Sequence, residues 1–357
     1  MLKIVFRSVL VFTALLLIGG LTYRAVRQHR NAKALAIRTP NGIEESMFVK
    51  IGGIDQWVQI RGENRDNPAP LIVHGGPGSS YVPFTPTIRS WERYFTVVQW
   101  DQRGSGKTYG RNESTGGGDM TIDRMAQDGI EVTEFVRKRL HKKGVILLGH
   151  SWGTILGVPM VQRRSDLFYA YVGTGQIVDM VRNEAVSYDM VLKRVRATAD
   201  EKAIKKLEDI GPPPYRDLST WFVKQKLIAE TAPAIADGLF LEETFYTAAL
   251  FAPNYSLKDS YDFFAATYYS GTTLMKELMS YDAGRLGVKF ETPMFLFQGE
   301  SDVNTPTKLV EEYFATIEAP KKELVLLRGC GHMAIFSKSD VFLNELVARV
   351  RPLALDH

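Results

Sequence analysis

The chain has a single cysteine, Cys330, among its 357 residues. That excludes an internal disulfide and any metal cluster built on thiolates. There is no H-E-x-x-H run and no paired-histidine spacing, so the sequence offers no metal site. Internal repeats and low-complexity tracts are missing too, which argues against a solenoid. The body also lacks positive excess. The formal net charge is +4, but Lys3, Arg7, Arg24, Arg27, Arg30, Lys33 and Arg38 all lie in the first 38 residues, which hold no acid. Without those seven, the body carries 37 basic against 40 acidic residues, a net of −3. A face for nucleic acid needs a basic surplus in the folded part, and none is there.

What is present starts with an apolar leader. Ser8 to Tyr23 is a run of 16 residues without a charge, between Lys3 and Arg7 on one side and Arg24, Arg27 and Arg30 on the other. Its length approaches the about 17–25 residues that span a bilayer. No small-x-small cleavage site follows closely, since Ala34-Leu35-Ala36 lies far downstream. The expectation is a single-pass N-terminal membrane anchor. The alternative is a cleaved signal and a secreted or periplasmic product. Similar charge on both flanks leaves the side of the membrane open.

Past the leader, Met47–Gly62 alternates around Gly52-Gly53 as a β-hairpin does. Three short apolar runs then end in glycine-rich loops: "APLIVHGGPG", "YFTVVQWDQRGSG" and "VILLGHSWG". Between the last two, Met125, Val132, Val136 and Leu140 recur at helical spacing. Buried strands alternating with helices predict an α/β fold with a mostly parallel sheet covered on both faces. From about residue 176 to 285 the apolar runs give way to helical, aromatic, Pro-punctuated sequence. The strand plan resumes with "TPMFLFQGESD" and "KELVLLRGCGHM". The predicted organisation is an anchor and basic linker (1–38), a first core part (39–175), a helical cap (176–285) and a second core part (286–357).

Ser151 sits in Gly149-His150-Ser151-Trp152-Gly153, directly after an apolar strand and before a helix-compatible run. The glycines allow a turn that brings backbones together and projects the serine oxygen above the sheet. A serine at its free pKa needs a base. His332 is the candidate, on a loop directly after the strand Leu324–Leu327. Asp302 follows the strand Met294–Phe297, where an acid would orient the imidazole; Glu300 is its neighbour and competitor. The backbone N–H groups of Trp152 and Gly76 are candidate oxyanion donors, Gly76 lying in His74-Gly75-Gly76-Pro77-Gly78.

In order, "HGGPG", "DQRGSG", "GHSWGT", a Gly-x-x-Asp turn and "GCGH" resemble α/β-hydrolases of the proline iminopeptidase-like serine peptidase group. The resemblance covers most of residues 45–175 and 285–357. It implies the α/β-hydrolase fold with an inserted helical cap, no cofactor, Ser151, Asp302 and His332 as catalytic triad, and Gly76 and Trp152 as oxyanion donors. It also implies that Asp101 and Arg103 brace the site. The cap departs from the group's pattern: "LSTWFVKQK" around Trp221 lacks the Trp-Glu-containing motif. A free substrate amine needs a carboxylate partner, and Glu184, Glu242 and Glu243 are the candidates. The aromatic residues of the cap, Phe240, Phe245, Phe263, Phe264 and Tyr268 among them, either pack its helices or line an apolar pocket. The expected substrate is a small molecule or short peptide from which an N-terminal, proline-type residue is released. A carboxylic ester or lactone is the alternative, and a non-catalytic binding protein on the same fold the remote one.

Overall fold

The computed structural model describes residues 2–215, 217–231 and 236–355. Helix α1 (Leu2–Leu35) precedes an eight-stranded sheet. The first two strands, β1 (Ile43–Ile51) and β2 (Ile54–Gly62), form the predicted antiparallel hairpin across Gly52-Gly53. Then come β3 (Pro70–Val73), a 3₁₀ stretch (Val82–Arg93), β4 (Val97–Asp101), α2 (Gly106–Gly116), α3 (Ile122–Leu140), β5 (Val145–His150), α4 (Trp152–Arg163) and β6 (Phe168–Thr174). The spatial order is β1-β2-β4-β3-β5-β6-β7-β8, and every pairing from β4 onward is parallel.

The apolar strands are continuous because both faces are covered. Leu71, Val98, Leu147 and Leu296 point to one core with α3 and α4. Their neighbours Ile72, Val97, Ile146, Leu148, Phe295 and Phe297 point to the other, under the 3₁₀ stretch and the last helices. The two-residue period of a strand divides its side chains between the two layers.

Between β6 and β7 (Met294–Gly299) the chain runs through α5 (Met180–Ala197), α6 (Glu201–Ile210), α7 (Leu218–Glu230), α8 (Ala236–Phe240), a π-helical turn (Leu241–Phe245), α9 (Tyr246–Phe251) and α10 (Leu257–Met279). After β7 come α11 (Thr307–Thr316), β8 (Lys322–Leu327) and the short helices α12 (Ala334–Ser337) and α13 (Ser339–Glu345). The insertion has its own small core, in which Tyr188, Val191, Leu207, Leu218 and Leu227 are buried.

The basic stretch after the apolar leader, expected as a linker, is helical and docked. It forms the last turns of α1, where Tyr23, Arg24, Arg27, Gln28 and Asn31 share a face. Arg24 Nε donates to Leu250 O at 3.1 Å, Gln28 Nε2 to Ala252 O at 2.8 Å and Asn31 Nδ2 to Phe251 O at 2.9 Å. The Arg27 guanidinium lies 4.8 Å from the Phe251 ring centre. These donors satisfy carbonyls that the C-terminus of a short helix leaves unpaired. Leu35 is buried, and its carbonyl accepts from Arg61. Residues 5–21 extend away from the body, fully exposed.

Candidate active site

The corner at Ser151 explains its glycines. Ser151 has φ 52° and ψ −122°, a conformation that costs a non-glycine residue strain. Behind it, a Cβ on Gly153 would stand 1.9 Å from the Val73 carbonyl oxygen, so only glycine lets α4 start this close to β3. Ser151 N donates to Thr174 O at 3.0 Å, which ties the turn to the end of β6.

Three strand ends meet here. Ser151 Oγ lies 2.9 Å from His332 Nε2, and His332 Nδ1 lies 2.9 Å from Asp302 Oδ2. Since a carboxylate accepts, Nδ1 carries the proton and Nε2 is left to receive one from Ser151. Asp302 also accepts from Thr305 N (2.9 Å), Thr305 Oγ1 (2.7 Å) and Gln298 Nε2 (3.1 Å). Burial opposes its ionisation, yet His332 and the Thr305 donors outweigh that and hold the carboxyl below the ordinary aspartate range. Burial works to lower the His332 pKa, and the Asp302 charge overcomes it, so the net shift is upward from 6.5. The alternative acid, Glu300, is exposed.

The other two histidines near the corner are held neutral. His74 Nδ1 donates to Gly75 O at 2.8 Å, and Nε2 accepts from Gln102 N at 3.2 Å; burial pulls its pKa down to about 4. His150 Nε2 donates to the carbonyl of His332 at 2.7 Å, and its Nδ1 accepts from the Tyr81 hydroxyl. Burial, with the neighbouring His332 adding to it, lowers that pKa to about 3.

The loop expected to offer the second N–H runs beside the serine. A Cβ on Gly75 would lie 3.2 Å from that of Ser151. Trp152 is the first residue of α4, so its N–H has no partner within the helix. Gln102 joins the two walls: its Nε2 donates to His74 O at 2.9 Å, and its Oε1 accepts from Trp152 Nε1 at 3.0 Å. Arg103 holds the same segment through Asp128 (2.9 Å) and the Gly52 carbonyl (2.9 Å). Asp101 accepts from Ser80 Oγ and from Lys107 N at 2.8 Å, and burial lifts its pKa to about 7.

Above Ser151 and His332 is a cavity of about 560 Å³. Its upper walls come from α5, α7, the π-helical turn and α10 and are mainly apolar, with Met180, Leu218, Trp221, Phe222, Phe245 and Leu278 among them. Of the cap aromatics, Phe245 lines it, Phe240 and Phe263 are packed inside, and Phe264 and Tyr268 are exposed. Glu184 is on the wall, and its carboxylate is 2.5 Å from Lys224 Nζ, which also donates to Ser187 Oγ at 3.1 Å. Both members of this ion pair are buried. The side chains of Glu242 and Glu243 lie outside the described residues. Among the described residues, no cluster of His, Cys, Asp and Glu is arranged to hold a metal ion.

Residues 71–345 match the alpha/beta hydrolase family. The chain belongs to that family. This alpha/beta hydrolase is 29% identical over 314 residues to the probable aminopeptidase YbaC of Bacillus subtilis, covering 85% of this chain and 95% of that one. In structure it is similar to the proline iminopeptidase of Mycobacterium smegmatis, with a TM-score of 0.60, 18% identity and coverage of 87% and 99%. It is also similar to a bacterial membrane phospholipase A, with a TM-score of 0.58, 15% identity and coverage of 99% of both chains. The family supports hydrolase chemistry, as expected from the motifs. The sequence did not disclose Tyr81, Thr305, Gln298 or Lys224 as parts of the site.

Proposed function

We propose that the chain is a serine hydrolase that acts by acyl transfer, with Ser151 as nucleophile, His332 as general base and Asp302 as the group that orients it. The observation that carries this reading is the unbroken hydrogen-bonded chain from Ser151 through His332 to Asp302 at the base of the cavity. Ser151 Oγ attacks the substrate carbonyl carbon while His332 Nε2 takes its proton. The oxygen that becomes negative accepts hydrogen bonds from the N–H groups of Trp152 and Gly76. Collapse breaks the bond to the leaving group, which takes the proton from His332. Water then attacks the acyl-enzyme by the same route and regenerates Ser151.

The preferred substrate is a short peptide with a free N-terminus and a small apolar, proline-type first residue. The relative in Bacillus subtilis, named a probable aminopeptidase, and the apolar cavity support it. One observation favours a carboxylic ester instead: Glu184, on the cavity wall, is already paired with Lys224. A carboxylate so engaged holds an ammonium less strongly than a free one.

We also place α1 in a membrane as a single-pass anchor. It is the one helix among the described residues long and apolar enough to cross. Its following turns are built into the fold through Arg24, Gln28 and Leu35, so cleavage after Ala34-Leu35-Ala36 would remove a docked helix.

The test is kcat/KM of the full-length protein in detergent for a chromogenic proline amide, its N-blocked form and a short-chain ester. Serine-dependent turnover that prefers the free amine supports the aminopeptidase, and serine-dependent ester turnover alone supports the esterase. Undiminished activity in Ser151→Ala overturns the mechanism. Release of the protein from membranes by carbonate without detergent overturns the anchor.

A further inference from the structure

Helix α10 has two different sides. Thr267, Gly271 and Leu278 face the cavity, and Phe263, Ala266, Ser270 and Leu274 are buried. On the outer side, Leu257, Tyr261, Phe264 and Tyr268 are 53, 72, 46 and 63% exposed. Their spacings of four, three and four make one stripe, about 17 Å long at the helical rise. A single exposed apolar side chain needs no explanation, but a row of four does. Beyond Tyr268 the exposed positions become polar: Thr272, Thr273 and Lys276.

The apolar turns are those beside α1. Tyr255, two residues before α10, gives its carbonyl to Arg24 at 2.6 Å and to Gln28 at 2.8 Å. Helix α1 therefore leaves the body next to the start of α10, and its exposed apolar turns begin where the stripe begins. Tyrosine and phenylalanine are at home at the headgroup level of a bilayer. Arg24, Arg27 and Lys258 sit at the same end, Arg24 donating to the Leu250 and Tyr255 carbonyls and Lys258 paired with Asp262 at 2.7 Å, so long basic side chains flank the apolar turns as they do at a membrane surface.

We propose that Leu257, Tyr261, Phe264 and Tyr268 rest in the headgroup region of the bilayer that α1 crosses. The inference depends on α1 being an anchor. It makes α10 a second point of attachment, so the body lies against the membrane instead of hanging from one helix. Since the opposite side of α10 is a cavity wall, the cavity then stands about one helix diameter, roughly 10 Å, from the headgroups.

The test uses the full-length chain with Cys330→Ala, carrying one further substitution at a time: Leu15→Cys, Phe264→Cys, Tyr268→Cys or Lys289→Cys. Lys289 is exposed at the amino ends of the strands, away from the insertion. Each is labelled with an environment-sensitive fluorophore and reconstituted into phosphatidylcholine–phosphatidylglycerol vesicles. Quenching by spin-labelled lipid and by aqueous iodide is then compared. The proposal expects the labels at 264 and 268 to be quenched by shallow spin-labelled lipid several-fold more than the label at 289, and shielded from iodide. If they are as open to iodide as the label at 289 while the label at 15 is quenched by lipid, the anchor stands and the proposal falls. If the label at 15 is not quenched by lipid, both fall. Shielding from iodide without lipid quenching means that a second copy of the chain covers the stripe, and that also overturns the proposal.

Discussion

His150, the residue before Ser151, donates its Nε2 proton to the backbone carbonyl of His332 at 2.7 Å. The strand that presents the serine thus holds the loop that presents the base, across 182 positions of sequence. Tyr81 completes the link by donating to the other ring nitrogen, which keeps the proton on the side that faces His332.

Tyr81→Phe should therefore slow the reaction without weakening substrate binding. The ring would keep its packing on Phe84 and Phe336, but a buried acceptor would be left unpaired, at about 1–3 kcal/mol. The expected result is a kcat lower by about tenfold at unchanged KM. If kcat of the folded variant equals that of the native chain and only its denaturation midpoint falls, Tyr81 does not position the base.

Strain at Ser151 gives a second expectation. In ordinary helix positions glycine is less stable than alanine by about 0.5–1 kcal/mol. At φ 52° and ψ −122° the order reverses, because glycine bears no Cβ penalty there. Ser151→Gly and Ser151→Ala lose the same hydrogen bond to His332, so their difference isolates the backbone. Both are expected to be inactive, with the glycine variant more stable by about 1–2 kcal/mol in chemical denaturation. Equal stabilities would mean that the turn is relaxed.

His332 should give the rate an acid limb whose position follows from its pKa shift, and Asp101, lifted to about 7 outside the triad, titrates in the same range. The base must be neutral to take the serine proton, and Asp302 raises its pKa above 6.5. Activity is then lost as the pH falls through that raised value, so the midpoint in kcat/KM lies above 6.5. His150 and His74, near 3 and 4, add no limb in the neutral range. Asp302→Asn removes the charge, so the limb of its residual activity should move to lower pH, with a large loss of rate. A midpoint unmoved by that change would separate His332 from the observed titration.

Ser151, His332 and Asp302 could be picked out because each stands just past the end of an apolar strand, where a parallel sheet gathers its loops. The layers were equally open, since continuous apolar runs imply two covered faces. The bracing of the site was not. Tyr81 and His150 are 69 residues apart, and nothing local in either segment signals the other. The aromatic residues of α10 could be counted but not sided, because Phe263 and Phe264 are neighbours in sequence and face opposite environments. The last turns of α1 read as a linker for a related reason. Arg24 and Gln28 there are satisfied by carbonyls of a segment more than 220 positions away.

Glu184 and Lys224 allow the two substrate readings to be separated within one pair. Burial lowers the Lys224 pKa, and the attraction of Glu184 only partly restores it. Lys224→Met alone leaves a buried carboxylate without its cation, at about 3–5 kcal/mol of stability. Glu184→Leu with Lys224→Met should recover most of that loss, because well-packed apolar residues replace a buried pair at little cost. The double variant then serves as a folded enzyme without the carboxylate. If Glu184 reaches a substrate ammonium, KM for the free-amine proline amide rises about tenfold or more while ester turnover is unchanged. If Glu184 only closes the pair, both substrates keep their KM, and the anchor for a free amine must come from elsewhere in the insertion.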